Sequence, residues 1–90
     1  MKKITLKEFW NSENKIAIHC KTTEEAKQLL NAFDKLGKSW SDGKSYLGMD
    51  HYNNYKEYTC YSNINGYCYI DWYKKNDFKI YEFDEVDLGA

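Results

Sequence analysis

The tripeptide Gly-Lys-Ser occurs twice in this chain, at residues 37–39 and 43–45. The same tripeptide ends the phosphate-binding loop of nucleotide hydrolases. In that loop four residues separate its glycine from an earlier glycine, a strand precedes the loop and a helix begins at its end. Here five residues separate the two glycines, and the first tripeptide follows a predicted helix. Spacing and context therefore argue against a nucleotide hydrolase. We expect Gly37 to end a helix and residues 41–44 to form a turn, with Trp40 in the core.

Other combinations of residues that could catalyse a reaction or bind a metal are weakly supported by the sequence. Asp50 and His51 are adjacent in an expected loop, but no third residue is placed to orient the imidazole. His19 is expected to be half-exposed on a strand. The three cysteines have no CxxC spacing and leave one over in any pairing, so we expect buried free thiols rather than a zinc site. We therefore predict a protein that is not an enzyme and that holds no metal and no cofactor.

Aromatic side chains point to binding instead, since they make up 18% of the chain and include nine tyrosines. Tyrosine is enriched at protein interfaces because it offers a large, rigid contact area and a hydroxyl at low entropic cost. The predicted partner-binding surface lies on one face of a hairpin and contains Tyr58, Tyr67, Tyr69, Asp71 and Tyr73. Two alternatives stay open: these side chains stabilise an open sheet face, or the short N-terminal helix covers them.

Charge adds a second candidate surface at the end of the chain. The predicted partner-binding residues there are Glu82, Asp84 and Glu85, followed by Asp87. Such a segment can present negative charge to a basic groove as a phosphate backbone would, and the alternative is a solvated terminus. All 13 basic residues are lysines. Without guanidinium groups for bidentate contacts, direct binding of nucleic acid is not expected.

Two capping boxes predict the helices. Thr5 with Glu8 opens a short helix over residues 6–11. Thr22 with Glu25 opens a longer helix, whose apolar residues are three and four positions apart until Gly37 ends it. Between the two helices, residues 15–20 alternate as a strand that turns Ile16, Ile18 and Cys20 to one face and Ala17 and His19 to the other.

The second half of the chain is predicted to be β. Asn65-Gly66 is a strong signal for a two-residue hairpin turn, flanked here by strands over 58–64 and 67–73. That turn places Cys60 opposite Asp71 and puts Cys60 and Cys68 on opposite faces. Ile70 and Trp72 then lie on the face that packs against the long helix. A last strand over 78–83 completes a three-strand meander.

The predicted fold is a single α+β domain over residues 1–90. We expect a two-layer sandwich, in which the long helix packs on one face of an antiparallel or mixed sheet of four to five strands and a short helix lies at the N-terminus. No apolar run is long enough to span a membrane, and no apolar stretch of a signal peptide follows the basic start. An open tyrosine face and free sheet edges favour a homodimer.

The order of these segments resembles small proteins common in phages and prophages of AT-rich Gram-positive bacteria. The resemblance runs from about residue 4 to 86 and is carried by Ile18-His19-Cys20, Gly37 with Trp40, Thr59-Cys60-Tyr61 and the closing segment FKIYEF. It implies a phage accessory protein in the host cytoplasm, and it brings no catalytic residues.

Stand-alone phage proteins of this size are often inhibitors of bacterial immunity, anti-CRISPR proteins included, which is an association by size and origin. The expected function is stoichiometric inhibition of a host defence protein such as a CRISPR effector. One alternative is an oligomeric sponge that sequesters a nucleotide signal, with Tyr46, Tyr52 and Tyr55 stacking a base near Lys44 and Lys56. Another is a regulatory or structural phage protein.

Overall fold

The computed structural model describes residues 3–11, 13, 15–38, 52–63 and 66–88. The helices and strands are, in chain order, β1 Ile4–Thr5, α1 Leu6–Asn11, β2 Ile16–His19, α2 Thr23–Lys35, α3 Tyr52–Tyr55, β3 Thr59–Ser62, β4 Gly66–Tyr69, α4 Ile70–Lys75, β5 Lys79–Glu82 and β6 Val86–Asp87. Two short 3-10 helices, Lys56–Tyr58 and Phe83–Glu85, precede β3 and β6. The predicted turn over 41–44, Trp40 and the Asp50-His51 pair lie outside the described residues.

Helices α1 and α2 begin at their predicted caps. The Thr5 hydroxyl accepts the Glu8 N–H at 3.1 Å, and the Glu8 carboxylate accepts the Thr5 N–H at 3.3 Å. At α2 the Thr22 hydroxyl accepts the Glu25 N–H at 3.1 Å. The Glu25 carboxylate accepts the N–H of the residue before the cap at 2.9 Å. Gly37 follows α2 with φ +78°, a left-handed conformation that favours glycine. The predicted helices are thus confirmed.

The main sheet is mixed and has the strand order β4-β3-β2-β5. β3 is antiparallel to both of its neighbours, and β5 is parallel to β2. Strands β1 and β6 form a separate parallel pair. The α+β class and the four-strand mixed sheet agree with the prediction. The three-strand meander was wrong, because β5 lies beside β2 at the edge opposite β4.

The two faces of the main sheet carry different clusters. One cluster combines Ile16, Ile18, Cys20 and Tyr61 with the buried α2 residues Ala26, Leu29, Leu30 and Phe33. The other combines Ala17, Cys60 and Tyr73 with the partly buried Cys68, Ile70, Trp72, Phe78 and Ile80. Since α4 connects strands at opposite edges, it covers this second face. The expectation that Ile70 and Trp72 face the long helix was therefore wrong.

The hairpin has a different register from the predicted one. Thr59 lies opposite Tyr69, and Cys60 lies opposite Cys68. The predicted pairing of Cys60 with Asp71 is off by three residues, so Cys60 and Cys68 share a face. Ser62, the last residue of β3, pairs with Gly66, which begins β4 with φ +85°. The second strand then ends at Tyr69, because residues 70–75 are helical.

Candidate functional site

An open groove of about 530 Å³ lies where β3 begins and β4 ends. We call it the tyrosine groove; its lining residues are Tyr55, Lys56, Glu57, Tyr58, Tyr69, Ile70 and Asp71. Three of the predicted binding residues, Tyr58, Tyr69 and Asp71, are therefore brought together here. The other four lining residues were not in the predicted surface, although Tyr55 and Lys56 belonged to the alternative set for a nucleotide.

The hairpin register explains why these residues meet. The pairing of Thr59 with Tyr69 holds the start of β3 beside the end of β4. Residues 55–58 lead into β3 through the end of α3 and a 3-10 helix, and residues 70 and 71 begin α4. Each wall of the groove is thus attached directly to a paired strand. Such attachment fixes the walls relative to each other before a ligand arrives.

Tyr55 packs against Tyr69 in the groove, while Tyr58 and Tyr69 remain accessible. The Tyr55 ring centroid lies 5.4 Å from that of Tyr69 and 6.1 Å from that of Tyr67. Tyr58 is 58% exposed and Tyr69 is 37% exposed. Within the described residues the one other large exposed hydrophobic side chain is Leu36, at the end of α2. Exposed aromatic area is therefore concentrated in the tyrosine groove.

Tyr55 carries no charge in the groove at neutral pH. The neighbouring Cys68 thiol, followed by desolvation, raises the pKa of the Tyr55 phenol above its ordinary value. A neutral phenol keeps its O–H, which can donate one hydrogen bond and accept others. The ring can therefore contribute both apolar contact and a hydrogen bond to a ligand.

Lys56 adopts an unusual backbone conformation in the wall of the groove. Its φ is +50°, in the left-handed region that costs a residue with a side chain about 1–2 kcal/mol. The Thr59 N–H donates to the Lys56 carbonyl oxygen, which closes the turn into β3. Backbone strain of this kind is often found at functional sites, where the surrounding structure maintains it.

Two predicted binding tyrosines lie elsewhere. Tyr67 is partly buried and packs against the cluster that contains α2. Tyr73 is fully buried, with its ring centroid 4.7 Å from that of Phe78 and 5.2 Å from that of Trp72. The expectation that Tyr73 lies on an exposed surface was wrong, because α4 turns this side chain onto the sheet.

The predicted acidic surface is structured and lies outside the lining of the tyrosine groove. The Glu82 carboxylate accepts from His19 Nδ1 at 2.9 Å and lies 3.6 Å from Lys21 Nζ. The Glu85 carboxylate accepts the Glu82 N–H at 2.9 Å, and Asp84 is exposed. Glu82 does not line the groove and is connected to its wall through His19. The alternative of a merely solvated terminus was also wrong, since β6 pairs with β1.

His19 connects the acidic end to the wall of the groove. Instead of being half-exposed it is only 8% exposed, and its Nε2 donates to the Glu57 carbonyl oxygen at 2.7 Å. Its Nδ1 faces the Glu82 carboxylate, so both ring nitrogens face acceptors. His19 thereby holds the 3-10 helix that supplies Glu57 and Tyr58 to the groove.

The residues suggested for a nucleotide are only partly assembled. Lys44 and Tyr46 lie outside the described residues, and Tyr52 is buried. Tyr55 and Lys56 do line the groove. Glu57 and Asp71 stand beside them, and two carboxylates oppose the binding of a phosphate.

The cysteines are free thiols, with Cys20 and Cys60 buried and Cys68 half-buried. Burial raises the pKa of Cys60 to about 12. In the part of the chain that the structure describes, no three His, Cys, Asp or Glu side chains are grouped to hold a metal ion. No helix among the described ranges is long and apolar enough to cross a membrane.

Comparisons of this chain with models of protein families, with curated proteins and with solved structures find no match.

Proposed function

We propose that this chain is a phage-encoded inhibitor that binds a host defence protein, such as a CRISPR effector, through the tyrosine groove and without catalysis. The observation that supports a binding role is the groove itself, in which two of the most exposed aromatic side chains flank an open volume of about 530 Å³. The phage origin and the class of target are supported by the sequence resemblance alone.

The composition of the groove suits a protein partner. Tyrosine is enriched among the residues that dominate binding energy, and such residues are usually surrounded by polar ones that exclude water. Here Tyr58 and Tyr69 line the groove together with the charged residues Lys56, Glu57 and Asp71. Because both walls are attached to paired strands, little conformational entropy is lost when a partner binds.

A nucleotide signal is the second candidate ligand. Lys56 beside three tyrosine rings offers an ammonium for a phosphate and ring faces for a base. Against this, Glu57 and Asp71 give the groove a net negative charge, which disfavours phosphate. A protein partner agrees better with the charges as well as with the rings.

A plaque assay tests the proposal in its functional form. The chain is expressed in two matched bacterial hosts, one with a CRISPR system that targets the infecting phage and one without it. We expect the wild type to restore phage plating on the first host and to change nothing on the second. The variant with both Tyr58→Ala and Tyr69→Ala should lose this effect, while Leu36→Ala should retain it.

Two outcomes would contradict the proposal. Loss of the effect in Leu36→Ala but not in the double tyrosine variant would show that the groove is not the binding surface. Failure of the wild type against every defence system tested would remove the anti-defence function. Binding of cyclic nucleotides, measured by calorimetry, would then favour the alternative in which the chain sequesters a nucleotide signal.

Light scattering at high concentration distinguishes a monomer of 10.8 kDa from the homodimer that the sequence favours.

A further inference from the structure

Within the described part of the chain, the two carboxylates of the tyrosine groove are free of internal partners, as is that of the exposed Asp84, whereas four glutamates are not. Four glutamates accept intramolecular hydrogen bonds from backbone N–H groups or from a histidine: Glu8, Glu25, Glu82 and Glu85. Glu57 and Asp71, by contrast, are exposed, and neither has an ion-pair partner among the described residues. With Lys56 the groove carries a net charge of −1. It therefore offers two carboxylates to an external group.

The tyrosine rings beside these carboxylates favour a cation as well. A cation within about 6 Å of an aromatic ring centroid is attracted by the negative face of the ring. The fold already uses this contact three times with its own lysines, at 5.7, 5.0 and 5.2 Å: Lys15 with Phe78, Lys38 with Trp10, and Lys79 with Tyr81. Tyr58 and Tyr69 present the same kind of surface to solvent, next to two carboxylates.

We infer that the tyrosine groove binds an arginine side chain of the partner protein. This inference rests on the proposed function and names the group that the groove recognises. A planar guanidinium stacks on a tyrosine face and donates two parallel hydrogen bonds to one carboxylate, which an ammonium cannot do. The chain itself contains no arginine, since all 13 basic residues are lysines. A second copy of the chain therefore cannot supply the guanidinium, and the occupant is a different protein.

Nuclear magnetic resonance titration of the whole chain tests this inference with a defined probe. N-acetyl-arginine amide is added to ¹⁵N-labelled protein, and N-acetyl-citrulline amide is the matched control, because it has nearly the same shape without the charge. We expect the arginine probe to shift the amide signals of residues 55–58 and 69–71, with a dissociation constant in the millimolar range for so small a ligand. The citrulline probe should shift them much less.

Variants identify the groups responsible. Asp71→Asn and Glu57→Gln should each weaken binding of the arginine probe roughly two- to fivefold, as expected for exposed charge pairs. Asp84→Asn removes an exposed carboxylate at the opposite edge of the sheet and should have no effect. Lys56→Gln should leave binding equal or make it tighter, whereas a phosphate site would be weakened by the same change. The spectrum of each variant also shows whether it is folded.

Three results would overturn the inference: equal shifts from the arginine and citrulline probes, no groove shifts from either, or groove shifts from adenosine monophosphate in place of arginine. The plaque assay remains independent of these results. If it succeeds while the arginine probe fails, the groove binds the partner through other groups. If the probe binds while the plaque assay fails, the arginine site stands and the anti-defence function does not.

Discussion

Replacing Tyr73 by alanine should unfold this protein or bring it close to unfolding. The side chain is fully buried between α4 and the main sheet, and its ring meets those of Phe78 and Trp72 edge-on. Removal of a buried aromatic ring costs about 3–5 kcal/mol, because burial is lost and a cavity remains. A domain of this size has a total stability on the order of 5–10 kcal/mol, so the change removes a large part of it.

Urea denaturation, followed by circular dichroism, measures the effect. With a slope of about 1–1.5 kcal/mol per molar urea for a small protein, the midpoint should fall by roughly 2–5 M in Tyr73→Ala. Tyr58→Ala is the matched control, since the same side chain is removed from the most exposed of the described tyrosines. It should change the free energy of unfolding by no more than about 0.5 kcal/mol. An equal or larger loss in Tyr58→Ala would refute the placement of α4 on the sheet.

Three further predictions concern the hairpin, the buried histidine and the strained turn. Cross-strand nuclear Overhauser effects should connect the backbones of residues 60 and 68, which are paired in β3 and β4; effects between residues 60 and 71 would instead support the register expected for an Asn-Gly turn. His19→Ala should cost about 1–3 kcal/mol of stability, because it removes a buried side chain together with its hydrogen bonds to Glu82 and to the Glu57 carbonyl oxygen, while Lys21→Ala should cost under about 1 kcal/mol; similar midpoints in urea would contradict this difference. Lys56→Gly should raise the free energy of unfolding by about 0.5–1 kcal/mol, because glycine adopts the left-handed conformation without strain. A decrease of that size in the free energy of unfolding would show that Lys56 does not have the left-handed conformation.

Local signals were sufficient for the first half of the fold. The caps at Thr5 and Thr22 and the glycine after α2 depend on residues within four positions of one another, so the sequence displays them directly. The alternation of Ile16 and Ile18 likewise identified the face of β2 that packs against α2, although the opposite face is buried as well. An antiparallel or mixed sheet of four to five strands also followed from the order of elements, although the parallel pairing of β5 with β2 and the strand order did not.

The hairpin register could not be read from the turn residues alone. Asn65-Gly66 favours a two-residue turn, but Gly66 lies in β4, where it pairs with Ser62 and has a positive φ. The observed register places Tyr61 in the cluster with α2 and Cys60 in the cluster with α4. Burial of these side chains on both faces outweighs the local preference of the turn.

Helix α4 was missed because a short apolar run fits either period. Residues 67–73 alternate as a strand would, yet Ile70 and Tyr73 are also three positions apart, on one side of a helix. A signal was present in the charges: Asp71 lies in the first turn, and Lys74 and Lys75 lie in the last, as the helix dipole favours. That error placed Tyr73 at the binding surface.

Only part of the tyrosine groove was predicted, and the predicted explanation of how its residues come together was incomplete. Tyr58, Tyr69 and Asp71 were expected to share a strand face, but they meet because the start of β3 adjoins the end of β4 and α4 begins there. Lys56 and Glu57 were missed in the predicted surface because the 3-10 helix before β3 has no clear sequence signal. Contacts across the hairpin, absent from any local pattern, decide which side chains line the groove.

The account depends most on the claim that the tyrosine groove is the surface that binds a partner. The most direct test is the dissociation constant for the defence protein whose action the chain blocks, measured by calorimetry with wild type, Tyr69→Ala and Leu36→Ala. If Tyr69 is a dominant contact, its loss should cost about 2 kcal/mol, or roughly 30-fold in affinity, and Leu36→Ala should bind like the wild type. Wild-type affinity in Tyr69→Ala, together with weakened binding in Leu36→Ala, would contradict the claim.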